Sequence, residues 1–303
     1  MPQSLLSALD RRDGQVYHLP QGLRLAVEVA QVTGRPLLLR GEPGSGKSSL
    51  APFLARDLKL RYYEQVVTSR TEANDLLWSF DHVRRLADAQ IKALKDDNHY
   101  LRPGVLWWAF DPESAAAVAG ARSQLRFDAT VPGTDGTVVL IDEIDKAEPD
   151  VPNGLLVALG SQEFPVPGRE HVVKRAPSDS PVLIVITTNE ERELSPAFLR
   201  RCVIFELPAP DADFLRDVAF RHLSPDGTLE SASPSDEVAT LIDQLAEVLL
   251  EARDKEPVPG YRPSTAEFLD TLKACLEMNI TPQDERWAAV RRLTLAKRQR
   301  PGR

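Results

Sequence analysis

Three stretches of the chain, residues 36–40, 137–141 and 181–187, carry apolar side chains at consecutive positions instead of alternate ones. A strand with one wet face alternates and a strand covered on both faces does not, so these runs predict inner strands of a parallel sheet flanked by helices. Residues 60–67, with Tyr62, Tyr63, Val66 and Val67, and residues 203–206 (Val-Ile-Phe-Glu) supply two further strands. Helical spacing appears over 20–33, where Leu23, Leu25, Ala26, Val27, Val29 and Ala30 predict the buried stripe and Gly34 and Pro36 end the pattern. It appears again over 50–58, where Pro52 inside the helix predicts a kink. After Pro208-Ala-Pro every expected element is helical: 211–222, 235–254, 264–278 and 284–298. This change divides the chain into an α/β domain over 1–208 and a smaller helical domain over 209–303.

The interval 68–136 is too long for an ordinary connection between strands and predicts an insertion, a common seat of partner-specific contacts. Within it a helix is expected over 72–95, an extended apolar segment over 101–110 and an alanine-rich helix over 112–125. Trp107 and Trp108 are adjacent in the apolar segment; neighbours on an extended chain face opposite ways, so one ring is expected outside the core. Residues 163–174 alternate around Gly168 and predict a hairpin, which its prolines keep exposed or irregular.

Polar residues at the ends of three strands bring chemistry into this frame. The first strand runs into Gly41-Glu42-Pro43-Gly44-Ser45-Gly46-Lys47-Ser48-Ser49, which fits G-x-x-x-x-G-K-[ST] between a strand and a helix, the context of a phosphate-binding loop. Its glycines let consecutive backbone N–H groups turn inward on phosphate oxygens, Lys47 adds a positive charge, and the Ser48 hydroxyl is placed for Mg²⁺. The strand at 137–141 runs into Asp142, suited to ordering the water shell of Mg²⁺, and Glu143, able to polarise an attacking water. The strand at 181–187 leads to Thr188 and Asn189; the asparagine either orients water or γ-phosphate or caps the following turn. In a parallel sheet these three ends share one edge, the edge where such folds bind ligands. Tyr17 and His18 precede the first helix, where they would pack on a nucleotide base or serve as ordinary packing residues.

A chain of 303 residues, 42% hydrophobic and 27% charged, is ordinary for a globular protein, and its net charge of −8 disfavours non-specific binding to nucleic acid or an anionic membrane. The last twenty residues run the other way, with seven basic residues against two acidic, which reads as a solvated basic helix face. Cys202 and Cys275 make neither a disulfide framework nor a metal cluster. A start without the order of a secretory signal, and the lack of any apolar run long enough to span a bilayer, lead us to expect a cytoplasmic protein.

With residues 41–49, Val138-Val-Leu-Ile-Asp-Glu-Ile-Asp145, Thr187-Thr-Asn189 and Leu199-Arg-Arg-Cys202 in this order ahead of a helical region, the chain resembles the AAA+ ATPases over nearly its whole length. Within them it is similar to the MoxR-type group, through Arg102-Pro-Gly-Val-Leu-Trp, Asp142-Glu-Ile-Asp-Lys-Ala147 and Asn153-Gly-Leu-Leu-Val-Ala-Leu. The resemblance implies a phosphate-loop NTPase fold, a five-stranded parallel sheet with an all-helical lid, and ATP with Mg²⁺ as cofactors. It places Lys47 on the β- and γ-phosphates, Ser48 and Asp142 at the metal, Glu143 as catalytic base and Asn189 as sensor. It also implies an arginine that reaches into a neighbouring subunit, Arg201 first and Arg200 as the alternative, and hence a ring of identical copies, commonly six. A lid arginine on the γ-phosphate would be Arg262, although it precedes Pro263 where relatives carry it after, at the place of Ser264. The implied function is an ATP-hydrolysing ring that remodels a protein client or partner subunit. The alternatives are an ATP-controlled assembly scaffold or switch, and the motor of a nucleic-acid complex of the restriction or defence kind.

Overall fold

The computed structural model describes residues 14–119, 125–131, 135–168, 172–175, 181–224, 227–255 and 262–295. Its strands are β1 Leu37–Arg40, β2 Arg61–Val66, β3 Trp78–Phe80, β4 Leu101–Pro103, β5 Leu125–Asp128, β6 Thr137–Asp142, β7 Glu163–Pro165, β8 Val172–Lys174, β9 Val182–Thr187 and β10 Val203–Glu206. The helices are α1 Gln21–Thr33, α2 Lys47–Asp57, α3 Ala73–Leu77, α4 His82–Gln90, α5 Val105–Phe110, α6 Pro112–Ala119, α7 Asp150–Gly154, α8 Leu156–Ser161, α9 Pro196–Leu199, α10 Ala212–Leu223, α11 Asp236–Lys255, α12 Thr265–Glu277 and α13 Trp287–Thr294. Contacts divide the chain into two units, one of Gln21–Arg40 and Leu54–Glu206, the other of Met1–Pro20, Gly41–Phe53 and Leu207–Arg303.

The first unit is built on a six-stranded sheet in the order β10-β1-β9-β6-β2-β5. All its pairings are parallel except that of β5, which runs antiparallel to β2 at the edge. Every residue of β6 is buried, as are all of β9 after Val182, which is why these strands read as unbroken apolar runs. The five expected strands are present. The sixth, β5, occupies the place where the alanine-rich helix was expected to end: α6 stops at Ala119, and residues 120–124 lie outside the described residues. The alanines keep their helix in α6, whereas Phe127 of β5 meets Tyr62 at 5.1 Å between ring centroids, a cross-strand aromatic pair that favours the strand there. On α1 the buried stripe is narrower than the apolar residues suggest: Leu23, Val27 and Ala30 are covered, while Leu25 is 60% exposed and Val29 is 40% exposed.

The insertion departs most from expectation. In place of one helix over 72–95 the chain forms α3, turns into β3, and resumes as α4. Asp81 divides strand from helix: its carboxylate accepts the Arg84 N–H at the start of α4 and pairs with Arg102 across the β3–β4 ladder. Next, α5 is helical, not extended, and buries both tryptophans. A Cβ at Gly104 would lie 2.5 Å from the Leu76 carbonyl carbon, so only glycine allows α5 to begin this close to α3. Two short helices, α7 and α8, follow β6 and meet at Leu155. The hairpin is formed by β7 and β8, with residues 169–171 outside the described residues.

In the second unit α10, α11, α12 and α13 pack around Leu215, Ile242, Leu245, Leu249, Phe268 and Leu272. These are the four expected helices, the last ending at Thr294; residues 296–298 lie outside the described residues. The helix α2 continues through Pro52. Among the described residues no helix is long and apolar enough to cross a membrane.

Candidate functional site

Register brings β1, β9 and β6 to the same edge of the sheet: Leu39 pairs with Thr187, and Ile186 with Ile141. One hydroxyl organises the acids there. The Thr187 Oγ1 donates to Asp142 Oδ1 at 2.6 Å and accepts the backbone N–H of Glu143 at 2.8 Å. Asp142 is 2% exposed, so its carboxylate group depends on such donors. Glu143 sits at φ +60°, ψ +50°, a left-handed conformation costly for a residue with a side chain, and the Thr187 bond helps to hold it. The Glu143 carboxylate receives Lys146 Nζ at 2.7 Å on Oε2 and Asn189 Nδ2 at 3.5 Å on Oε1. This ion pair holds the Lys146 ammonium above the ordinary lysine range. Asn189 is itself placed by Asp145, whose Oδ2 accepts the backbone N–H groups of Asn189 at 3.1 Å and Glu191 at 2.9 Å.

In the second unit the loop from Gly41 turns through positive φ at Gly44 (+75°) and Gly46 (+89°), conformations that glycine adopts without strain. Lys47 is buried, and its Nζ donates to the backbone carbonyls of Gly41 at 2.7 Å and Glu42 at 2.8 Å. The ammonium therefore folds back over its own loop, and Ser48 follows it in the first turn of α2. Ser45 Oγ is buried with no hydrogen-bond partner among the described residues, an orphan that a ligand oxygen would satisfy. Pro43 and Gly44 are exposed.

Residues 36–202, over half of the chain, match the AAA domain family, dynein-related subfamily. The chain belongs to this AAA domain family. No curated protein sequence is significantly similar to it. Among solved structures, a mutant RuvB from Thermotoga maritima aligns with a TM-score of 0.42 and 16% identity, covering 88% of this chain and 72% of that one. NtrX from Brucella abortus in complex with ADP aligns with a TM-score of 0.47 and 12% identity, over 91% of this chain and 53% of that one. Neither likeness is close enough to carry a residue's role across.

Within this AAA domain protein the other candidates fall as follows. Arg201 follows α9; its Nη1 donates to the Ala197 carbonyl at 3.0 Å, and its Nε would lie 3.3 Å from a Cβ at Gly160. Arg200 is exposed, and its carbonyl accepts Arg35 Nη1 at 3.4 Å. Arg262 Nη1 donates to Glu42 Oε1 at 3.4 Å and is half exposed. Tyr17 packs on Phe53 at 5.6 Å between ring centroids and lies beside Gly46, whereas His18 meets Phe214 edge-on. Four residues that the motifs leave without a role hold the site residues in place: Thr187, Asp145, Lys146 and Arg253. The first three lie inside the motif stretches themselves, a weak signal; Arg253 has no motif around it, and only the fold brings it to Glu42.

Proposed function

We propose that this AAA domain protein binds ATP with Mg²⁺, hydrolyses it, and works as a MoxR-like ring, commonly of six copies, that remodels a partner protein. The observation supporting this most is the contrast between the two acids that end β6: Asp142 is enclosed and hydrogen-bonded, while Glu143 is held half-exposed by Asn189 and Lys146. Neighbouring carboxylates in different surroundings are suited to different work. The oxygen donors Ser48 and Asp142 fit Mg²⁺, which takes few protein ligands and completes its shell with water and phosphate. Bound there, the metal would offset charge on the phosphate oxygens. Lys47 would turn its ammonium to the β- and γ-phosphates, and Ser45 and the loop N–H groups would hold their oxygens. Water would attack the γ-phosphorus and give its proton to Glu143, as the bond to the bridging oxygen breaks and ADP departs. Asn189 would keep the Glu143 carboxylate aimed at that water. Arg201 of a neighbouring copy, or else Arg200, would stabilise the charge that develops.

Exposed apolar residues in the insertion support the reading of a protein client: on α4, Val83 is 81% exposed and Leu86 is 63% exposed. The chemistry is tested by two variants. Lys47→Ala should abolish binding of a fluorescent ATP analogue, while Glu143→Gln should bind it and lose turnover, because one contacts phosphate in the ground state and the other acts on water. Equal nucleotide affinity of the wild type and Lys47→Ala would sink the assignment.

A further inference from the structure

Glu42 occupies an unspecified position of the phosphate-loop pattern, and a carboxylate there is electrostatically awkward. It would stand beside the phosphates of a bound nucleotide and repel them unless neutralised. Two arginines of the helical segment reach it. Arg253 Nη2 donates to Glu42 Oε2 at 2.6 Å, and Arg262 Nη1 lies 3.4 Å from Oε1. The two differ in burial, for the Arg253 side chain is 8% exposed and that of Arg262 is 51% exposed. Burial opposes ionisation of Glu42, but the two guanidinium groups outweigh it and hold the carboxyl below the usual glutamate range.

Arg253 does more than neutralise. It lies in the last turn of α11, and its Nη1 donates to the Pro263 carbonyl at 2.8 Å, one residue before Ser264 caps α12. One guanidinium thus joins the phosphate loop to the corner between two helices. A second contact reinforces the join: a Cβ at Gly44 would fall 2.3 Å from Ser264 Oγ, so the loop and the α12 cap touch directly. The Glu42 carbonyl meanwhile accepts Lys47 Nζ, so the residue gripped by Arg253 also locates the phosphate-binding ammonium.

We propose that Arg253 is a positioning residue for the phosphate loop: acting through Glu42, it neutralises the loop's acid and makes nucleotide affinity depend on the α11–α12 corner. This rests on the loop being the nucleotide site. The test is a cycle of variants titrated with fluorescent ADP and Mg²⁺, with thermal melts as a check on folding. Arg253→Met leaves the Glu42 carboxylate with only the half-exposed Arg262 against it and should weaken binding roughly tenfold, the scale of one charge-assisted hydrogen bond. Adding Glu42→Gln removes that charge, so the double variant should regain most of the loss, and Arg253→Lys should bind more tightly than Arg253→Met. A structural role alone would lower the melting temperature and leave the affinities of folded variants unchanged or additive, and either result overturns the proposal. Should Arg253→Met fail to fold, Arg253→Gln with and without Glu42→Gln makes the same comparison. Failure of the underlying reading looks different: the wild type would not bind ADP, or Lys47→Ala would bind it equally well.

Discussion

Asp145 carries two backbone amides on one carboxylate oxygen and is itself 2% exposed. Those amides belong to Asn189 and Glu191, so the carboxylate decides where the segment after β9 lies and, through it, where Asn189 meets Glu143. Asp145→Ala leaves both N–H groups without that acceptor, and because these bonds are only part-buried the cost is about 1 kcal/mol of stability. It should also release Asn189. We expect turnover to fall sharply while ADP affinity stays at the wild-type value, since nothing in the phosphate loop is altered. Wild-type turnover in a folded Asp145→Ala protein would remove this role. The residue scale also shows how far motif reading extends: Asp142, Glu143 and Asn189 do converge, as strand ends in a parallel sheet must, and Lys146 reaches Glu143 from three residues on, but Thr187 and Asp145 act across 44 to 46 positions through contacts that no local pattern encodes.

At the scale of elements, α5 overturns the expectation of one exposed tryptophan. Its neighbours differ by about a third of a turn, not half, and it packs on β2 and β6 as well as on β8, so both rings find cover. Trp107 is fully buried; it faces Phe164 and donates from Nε1 to Ser114 Oγ at 2.7 Å. Trp108 stacks on Tyr63 at 5.9 Å between ring centroids, and its Nε1 is buried with no partner among the described residues. The two rings should therefore respond differently to one substitution. Trp107→Phe loses a buried hydrogen bond along with ring volume, whereas Trp108→Phe removes an orphaned donor and keeps an aromatic against Tyr63. Urea denaturation should show Trp107→Phe as the more destabilised, by about 1 kcal/mol. The reverse order would mean that stacking on Tyr63 dominates.

For the whole molecule, the proposed ring makes each site depend on a neighbouring copy, and complementation tests this. Lys47→Ala has a dead loop and a sound Arg201; Arg201→Ala has the reverse. Each alone should be nearly inactive. Mixed and allowed to exchange subunits, they create interfaces that pair a good loop with a good arginine, and ATPase activity should return. An arginine acting in trans is worth roughly 10³ to 10⁵ in rate where such charge stabilisation has been measured, so even a minority of repaired interfaces should rise above background. A mixture that stays dead places Arg201 within its own subunit. If Arg201→Ala alone hydrolyses ATP normally and Arg200→Ala complements, the finger is Arg200.

What the sequence determined by itself was whatever short-range chemistry imposes. Consecutive apolar residues had to become strands covered on both faces, the glycine spacing at residues 41–49 had to make a tight loop, and the helices after Pro210 announced themselves by their period. Tertiary structure decided what depends on partners distant in the chain. The strand β5 exists because β2 offers it an edge and Tyr62 a ring. Likewise α5 is a helix because apolar surface surrounds it, and no period within six residues distinguishes that from a strand. Arg253 reaches Glu42 across 211 positions, and a contact of that span has no local signature: its energy arises only after the chain has folded.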